Sequence, residues 1–487
     1  DLHSFPTRRS SDLRFEPMKN TQEGLFITNL FNLKPEDIMN IHYENDDAGN
    51  SIYHIRLVPD ILPCPNCGCK HPSIKNYVLK TIKHSTLSDR NSILRYKARR
   101  YVCPICHKTY YEKNPFAFKA SKISIKVVLN VLKDLKDFNE TFTSVGRRHN
   151  ISPTSVASIF DQHVQLTRTS LPKILSIDEV YAFKSSDSKY VCVLLDFLSQ
   201  EPVDLLPRRT YDGLRSYFSS IPIEERKKVK IVCSDMYDTY RSIAKKYFPN
   251  CRCAVDTFHV AQEFHRKMNA VRIRIMKGYS KDDPKEKDNY YLLKKFNWLL
   301  FKDSEAYDRN GPLFDLNREK KYNYHFKRYM NFYDIREKIF EIDPVLLEVY
   351  NLKLDLHSFY TEYKYETARP QLEQLIQKFY TSSIEEMNKF GNTLAKWKDE
   401  IINSFIIAKY DYSVNKDDGS VTVRGRKVNN ALIENRNKII KCIKHNANGY
   451  SNWYRFRNRV LYVLRKSATY HLEPLDVPWK KKKKEED

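Results

Sequence analysis

Three short runs of β-branched and apolar residues, Ile174–Ile177, Tyr190–Phe197 and Val229–Cys233, limit most sharply what this chain can fold into, because each suits a strand covered on both faces. A helical candidate around Leu214–Ile221 lies between the last two, and another follows at Tyr237–Tyr247. That alternation predicts an α/β core. Two of the runs end in acids: Ser176-Ile177-Asp178-Glu179 closes the first and Val232-Cys233-Ser234-Asp235 the third. Acids at the ends of buried strands are costly unless a positive partner joins them, and a divalent cation is the obvious one. Mg²⁺ (or Mn²⁺) takes carboxylate oxygens and keeps positions open for phosphate oxygens. Two such ions can activate a nucleophile and stabilise a leaving oxygen. Many α/β proteins also carry two strand-end acids without this chemistry.

Ahead of this core, Ile52–Val58 alternates like a strand before the turn-rich Pro63-Cys64-Pro65-Asn66-Cys67-Gly68, and a second knuckle, Cys103-x-x-Cys106, follows the basic strand Leu94–Val102. Two CxxC turns place four thiolates where they can close a tetrahedral shell around one structural Zn²⁺. A redox CxxC, a disulfide framework and chance cysteines are the competing readings. Cys69, His71 and His107 are neighbours left outside the ligand set.

From Ser124 to Leu166 the period becomes helical. Glu140–His149, the turn Asn150-Ile151-Ser152 and Pro153–His163 have the cadence of a helix-turn-helix, with Ser152 as cap and Pro153 at the first helical position. The second helix is expected to turn Thr154, Ser155 and Ser158 outward to base edges and Val156 and Ile159 inward, while Arg147 and Arg148 meet phosphate. Any three-helix bundle has a similar pattern.

Charge narrows the partner. The 487 residues include 84 Lys and Arg against 60 Asp and Glu, a formal charge of +24, which favours a polyanion. A 41% hydrophobic content is enough for several cores. No run approaches the roughly 20 apolar residues needed to span a bilayer, so a cytoplasmic protein with no membrane partner is expected. Asp1–Leu13 looks like a translated sequencing adapter and is given no function; natural translation is expected to begin at or just before Met18. Arg455, Arg457 and Arg459 beside Trp453, Tyr454 and Phe456 suit phosphate contact and base stacking, or equally a helix packed by its aromatics and solvated by its arginines. The run Lys480–Lys484 reads as a solvated tail or a non-specific phosphate contact.

Nearly the whole chain after the adapter-like start resembles the ISL-three family of bacterial insertion-sequence transposases. The likeness rests on the paired knuckles, Arg99-Arg100-Tyr101-Val102-Cys103, Ser176-Ile177-Asp178, Ser234-Asp235-Met236-Tyr237 and Asp256-Thr257-Phe258-His259-Val260. It continues in Asn430-Ala431-Leu432-Ile433-Glu434-Asn435, Asn448-Gly449-Tyr450 and Phe456-Arg457-Asn458-Arg459. The family pattern has Asn-Gly before the Ile-Glu and Gly after it, where this chain has Asn430-Ala431 and Asn435.

The resemblance implies a multidomain α/β protein with a ribonuclease-H-like mixed sheet core and a large helical insertion, preceded by a zinc-binding module and a helix-turn-helix. Its segments are residues 18–116 (zinc module), 117–170 (helix-turn-helix), 171–260 (core, first part), 261–420 (helical insertion), 421–470 (core, last part) and 471–487 (basic tail). It makes Asp178, Asp235 and Glu434 the three acids that hold two catalytic Mg²⁺ ions. Glu179 is a rival for the first place, and an exposed helix position is the plain reading of Glu434. His259 is a provisional addition that orients water or DNA, or else forms a structural pair with Asp256.

The expected partners are terminal inverted repeats and target DNA, bound by a homo-oligomer that is at least a dimer and associates with the nucleoid. The alternative is a transposase-derived, sequence-specific DNA-binding protein without catalysis. A zinc-containing RNA-binding protein or nuclease lacks a matching RNA module in this sequence.

Overall fold

Alternation along Arg90–Val102 buries Ser92, Leu94, Tyr96 and Ala98 on one side of a strand and leaves Arg95 and Lys97 on the other, the pattern of a half-covered sheet. The computed structural model describes residue 31 and residues 33–87, 90–183, 188–302, 307–308, 311–312, 315–414 and 421–479. Asp1–Leu13, Met18 and Lys480–Lys484 lie outside these. The protein is a mixed α/β chain that divides into two units, Asp1–Thr167 with Ile439–Asp487, and Arg168–Lys438. Among the described residues no helix is long and apolar enough to cross a membrane.

In the first unit, β1 (Ile38–Asn45), β2 (Ser51–Leu57), β3 (Ser73–Leu87) and β4 (Arg90–Val102) form a sheet in the order β1-β2-β4-β3, and β5 (Thr109–Tyr111) pairs with the end of β4. Its core gathers Ile55, Ile82, Leu94, Tyr96 and Phe116. Three helices follow: α1 (Ile125–Asp134), α2 (Phe142–Arg148) and α3 (Pro153–His163). Ser124, Thr141 and Ser152 cap them, each accepting a backbone N–H of the first turn. Val128, Leu132, Val145, Val156 and Phe160 make their shared core, which Tyr462 of the helix Trp453–Leu464 completes.

The second unit holds the doubly covered sheet. β6 (Ile174–Tyr181), β7 (Tyr190–Asp196) and β8 (Pro202–Leu206) run antiparallel in sequence, and β9 (Ile231–Ser234) and β10 (Arg252–Val255) add in parallel beside β6, giving the order β10-β9-β6-β7-β8. One face packs Leu175, Ile177, Cys192 and Val232 against Leu214 and Phe218 of α4 (Tyr211–Ser219) and Tyr240 and Ile243 of α5 (Asp238–Tyr247). The other packs Ile174, Cys233 and Ala254 against Ala408 and Val428, around the hairpin of Ile407–Val414 and Val421–Lys427. α6 (Thr257–Met276) leads into the helices Phe332–Ile342, Pro344–Glu362, Tyr365–Thr381 and Glu385–Lys396, which share a core around Phe264, Phe379 and Phe390. α7 (Ala431–Asn446) follows the hairpin.

Candidate functional site

Strand register builds the site. Ser176 of β6 stands opposite Cys233 of β9, and Cys233 opposite Ala254 of β10, all in parallel pairing. Side chains alternate, so the next residues on the same face are Asp178, Asp235 and Asp256, one row of carboxylates across the carboxyl ends of three neighbouring strands. The Asp256 N–H donates to Ser234 O at 3.0 Å and keeps that register one step past β10. Asp256 then caps α6, its Oδ1 accepting the Phe258 N–H at 3.2 Å, and His259 sits in the helix's first turn.

α7 brings a second set. Asn430 Nδ2 donates to Ile177 O at 3.3 Å, and Asn437 Nδ2 donates to Asp178 Oδ2 at 2.8 Å. Glu434 lies on the same helical face between them. It gathers with Asp256 and His259, whose ligand atoms and its own all fall within 4.8 Å of one another. Among the described residues Asp178, Asp235 and Glu434 do not form one such group. Glu179 belongs to the other face, where it pairs with Arg209 and accepts the Tyr240 hydroxyl at 3.0 Å.

The electrostatics follow from burial. Asp178, 8% exposed, is pushed up to about 7 by desolvation, reinforced by the charge of Asp235. Desolvation and the neighbouring Glu179 raise Asp235 to about 6, and burial raises Asp256 too. Asp235 Oδ1, Asp256 Oδ2, His259 Nε2, Asn430 Oδ1 and Asn437 Oδ1 are all buried with no hydrogen-bond partner. Of these, Asp256 Oδ2 and His259 Nε2 belong to residues of the gathered group, which could take a divalent cation. A cleft of about 690 Å³ beside them is lined by Asp235, His259, Gln262, Arg266 and Asn269.

Sequence reasoning named Asp256 as a structural partner of His259 and not as a member of the carboxylate row, and it did not single out Asn437. Cys253-Ala254-Val255-Asp256 is a third apolar run ending in an acid, so the signal for Asp256 was present.

The four cysteines of the two knuckles also converge. Cys64, Cys67, Cys103 and Cys106 place their sulfurs within 4.8 Å of one another. The turns repeat each other: Gly68 N–H donates to Cys64 O, and His107 N–H to Cys103 O. Gly68 and His107 both take positive φ, 72° and 56°. Backbone N–H groups of Cys106 and Lys108 hold the Cys103 and Cys106 thiols below their ordinary range. The donor chemistry suits Zn²⁺. Cys192 and Cys233 are fully buried.

In α2 and α3, Thr154 is exposed, Ser155 and Ser158 are half-buried, and Val156 and Ile159 point into the core. Arg147 is exposed with no side-chain partner among the described residues, whereas Arg148 is held by Asp134 at 2.7 Å and by Glu140.

The three later arginines depart from expectation. Arg459 is fully buried and donates to Leu135 O, to Asp137 O at 2.7 Å and to Glu140 O at 2.8 Å. Arg455 clasps the buried Asp161 through two bonds of 2.9 and 2.6 Å, and Arg457 donates to Leu166 O at 2.7 Å. They fasten the helix Trp453–Leu464 to the three-helix unit, and of the three only Arg459 is fully buried.

A mixed sheet whose strand ends carry aligned carboxylates, completed by side chains from two helices, defines a class: α/β proteins with a carboxylate cluster at the strand ends that could hold a cation. The particular group comes from comparison with known families. A family model described as a transposase, of the DDE ISL3 type, matches residues 175–460, more than half of the chain, and the chain belongs to that family. It is also similar to the transposase for insertion sequence element IS1001 of Bordetella parapertussis, at 18% identity over 411 residues, 83% of this chain and 89% of that protein.

Proposed function

We propose that this transposase binds the terminal inverted repeats of a bacterial insertion sequence and cuts and rejoins DNA, with Asp178, Asp235 and Glu434 as its three acids. The row of strand-end carboxylates at matched register carries this reading. The order β10-β9-β6-β7-β8, with three antiparallel strands beside two parallel ones, supports a ribonuclease-H-like core.

Two Mg²⁺ or Mn²⁺ ions, when bound, supply activation of the attacking oxygen and stabilisation of the leaving one. The chain's own groups do the rest. Asn437 fixes one oxygen of Asp178, so the carboxylate keeps a single orientation. Burial holds Asp178 and Asp235 protonated up to near neutrality, so cation binding must displace protons and strengthens as pH rises through 6 to 7. His259 faces the same place from α6. Water freed of its proton attacks the terminal phosphodiester, the 3′ oxygen leaves, and that 3′-hydroxyl then attacks target DNA with release of a second 3′ oxygen.

DNA recognition falls to α3, with Thr154, Ser155 and Ser158 toward base edges and Arg147 toward phosphate, while Arg148 reaches phosphate only by giving up Asp134 and Glu140. One Zn²⁺ on Cys64, Cys67, Cys103 and Cys106 ties β4 to the turn before β3. Bringing two element ends together requires at least a dimer, working in the cytoplasm on nucleoid DNA. The test is metal-dependent cleavage of terminal-repeat DNA by wild type, Asp178→Ala and Asp235→Ala. Cleavage by wild type alone is expected; three proteins that bind equally and are all inert leave only the DNA-binding alternative.

A further inference from the structure

We propose that Asp256, His259 and Glu434 form one cation position of the candidate site, in the cleft that Asp235 also lines, and that its mixed oxygen and nitrogen ligands select a first-row transition cation over Mg²⁺. The proposal shares Glu434 with the catalytic reading, and its ligand set stands on geometry alone.

The three ligand atoms lie within 4.8 Å of one another, a spread that a single ion with bonds of about 2.1 Å draws together by small side-chain rotations. Asp256 is 2% exposed; its Oδ1 accepts the Phe258 N–H, the Asn430 N–H also favours its charged form, and its Oδ2 has no partner within hydrogen-bond distance. A nearly fully buried carboxylate oxygen without a donor is costly unless a cation completes it. His259 Nε2 is likewise buried and unpartnered. Its other nitrogen, Nδ1, lies 3.4 Å from Gln262 Oε1. An amide oxygen only accepts, so the tautomer that satisfies this contact has its hydrogen on Nδ1 and leaves the Nε2 lone pair for a cation, the arrangement in which histidines bind metals. No hydrogen bond or ion pair of the Glu434 side chain occurs among the described residues.

Helix geometry holds the set. Asp256 and His259 are the cap and first turn of α6, and Glu434 stands in the first turn of α7. Three ligands leave positions open for water or a phosphate oxygen, which separates this site from the closed four-sulfur one. Mg²⁺ uses imidazole poorly, whereas transition cations accept it readily.

The test uses the full chain with its knuckles loaded with zinc, titrated with Mn²⁺ and read by pulsed electron paramagnetic resonance for coupling to ¹⁴N. Wild type is expected to show one coupled imidazole nitrogen. His259→Asn, with an unchanged melting curve, is expected to lose it; Asp235→Asn is expected to keep it. Asp256→Asn should weaken Mn²⁺ binding roughly ten-fold, and His259→Asn should shrink the preference for Mn²⁺ over Mg²⁺ by a similar factor.

No nitrogen coupling in wild type at saturating Mn²⁺, coupling that survives in His259→Asn, or coupling that vanishes in Asp235→Asn would each overturn the site. The spectrum does not depend on cleavage. An inert wild type with the expected coupling removes the catalytic reading and keeps this site, and an active one without coupling does the reverse.

Discussion

Asp178 and Asp235 concentrate the energetic conflict of this protein in two side chains. Each keeps its proton in the folded state to a higher pH than in the unfolded chain, Asp178 to about 7 and Asp235 to about 6 from an ordinary 3.8. Their contribution to stability is therefore fully present below about pH 4 and lost as pH rises through 6 to 7. Cation-free Asp178→Asn is thus expected to be more stable than wild type at pH 8, by on the order of 3 kcal/mol, with little difference at pH 4. Thermal melts at the two pH values check this, and an unchanged or lower midpoint at pH 8 would count against it. Asn437→Ala, which removes the donor to Asp178 Oδ2, should weaken Mg²⁺ binding about ten-fold, measured by calorimetry. Both strand-end acids were legible in the sequence because an acid closing an apolar run is conspicuous. Asn437 was not, since its importance arises only when α7 packs beside β6.

The three-helix unit shows what local sequence can specify. Ser152 and Pro153 fix the start of α3, and the expected Pro153–His163 matches the observed helix. α2 begins at Phe142 rather than Glu140, because Thr141 and Ser144 form a reciprocal cap and Glu140 stays outside to accept from the Ser144 hydroxyl. The turn between them permits no side chain at Gly146, where a Cβ would come within 2.7 Å of Ile151 O. Gly146→Ala should cost about 1 to 3 kcal/mol and weaken DNA binding with it, read by thermal melting and by fluorescence anisotropy. The burial of Arg459 was not legible because residues 455 and 459 share a helical face that could be wet or dry, and nothing local says that the 135–140 loop turns its carbonyls toward it. Arg459→Met is expected to destabilise by roughly 3 kcal/mol or more through the orphaned carbonyls of that loop. A loss under 1 kcal/mol would return Arg459 to the surface.

For the whole chain, the alternation of strands and helices foretold a mixed α/β protein, while the pairing of residues from distant segments came only with the fold. A formal charge of +24 predicts DNA binding that falls steeply with salt, with a log–log slope of about −4 or steeper if four or more phosphates are neutralised. A flat response between 50 and 200 mM salt would contradict the assignment of a duplex partner. Stripping zinc with a strong chelator should melt the β1–β5 sheet region first, seen as early loss of amide protection there. The strand-end row and His259 lie close together in the chain, but Glu434 and Asn437 come after the entire helical stretch. A polypeptide still emerging from the ribosome carries the row without its last carboxylate, so on the proposed reading the nascent chain stays harmless to the genome that encodes it until translation is almost over.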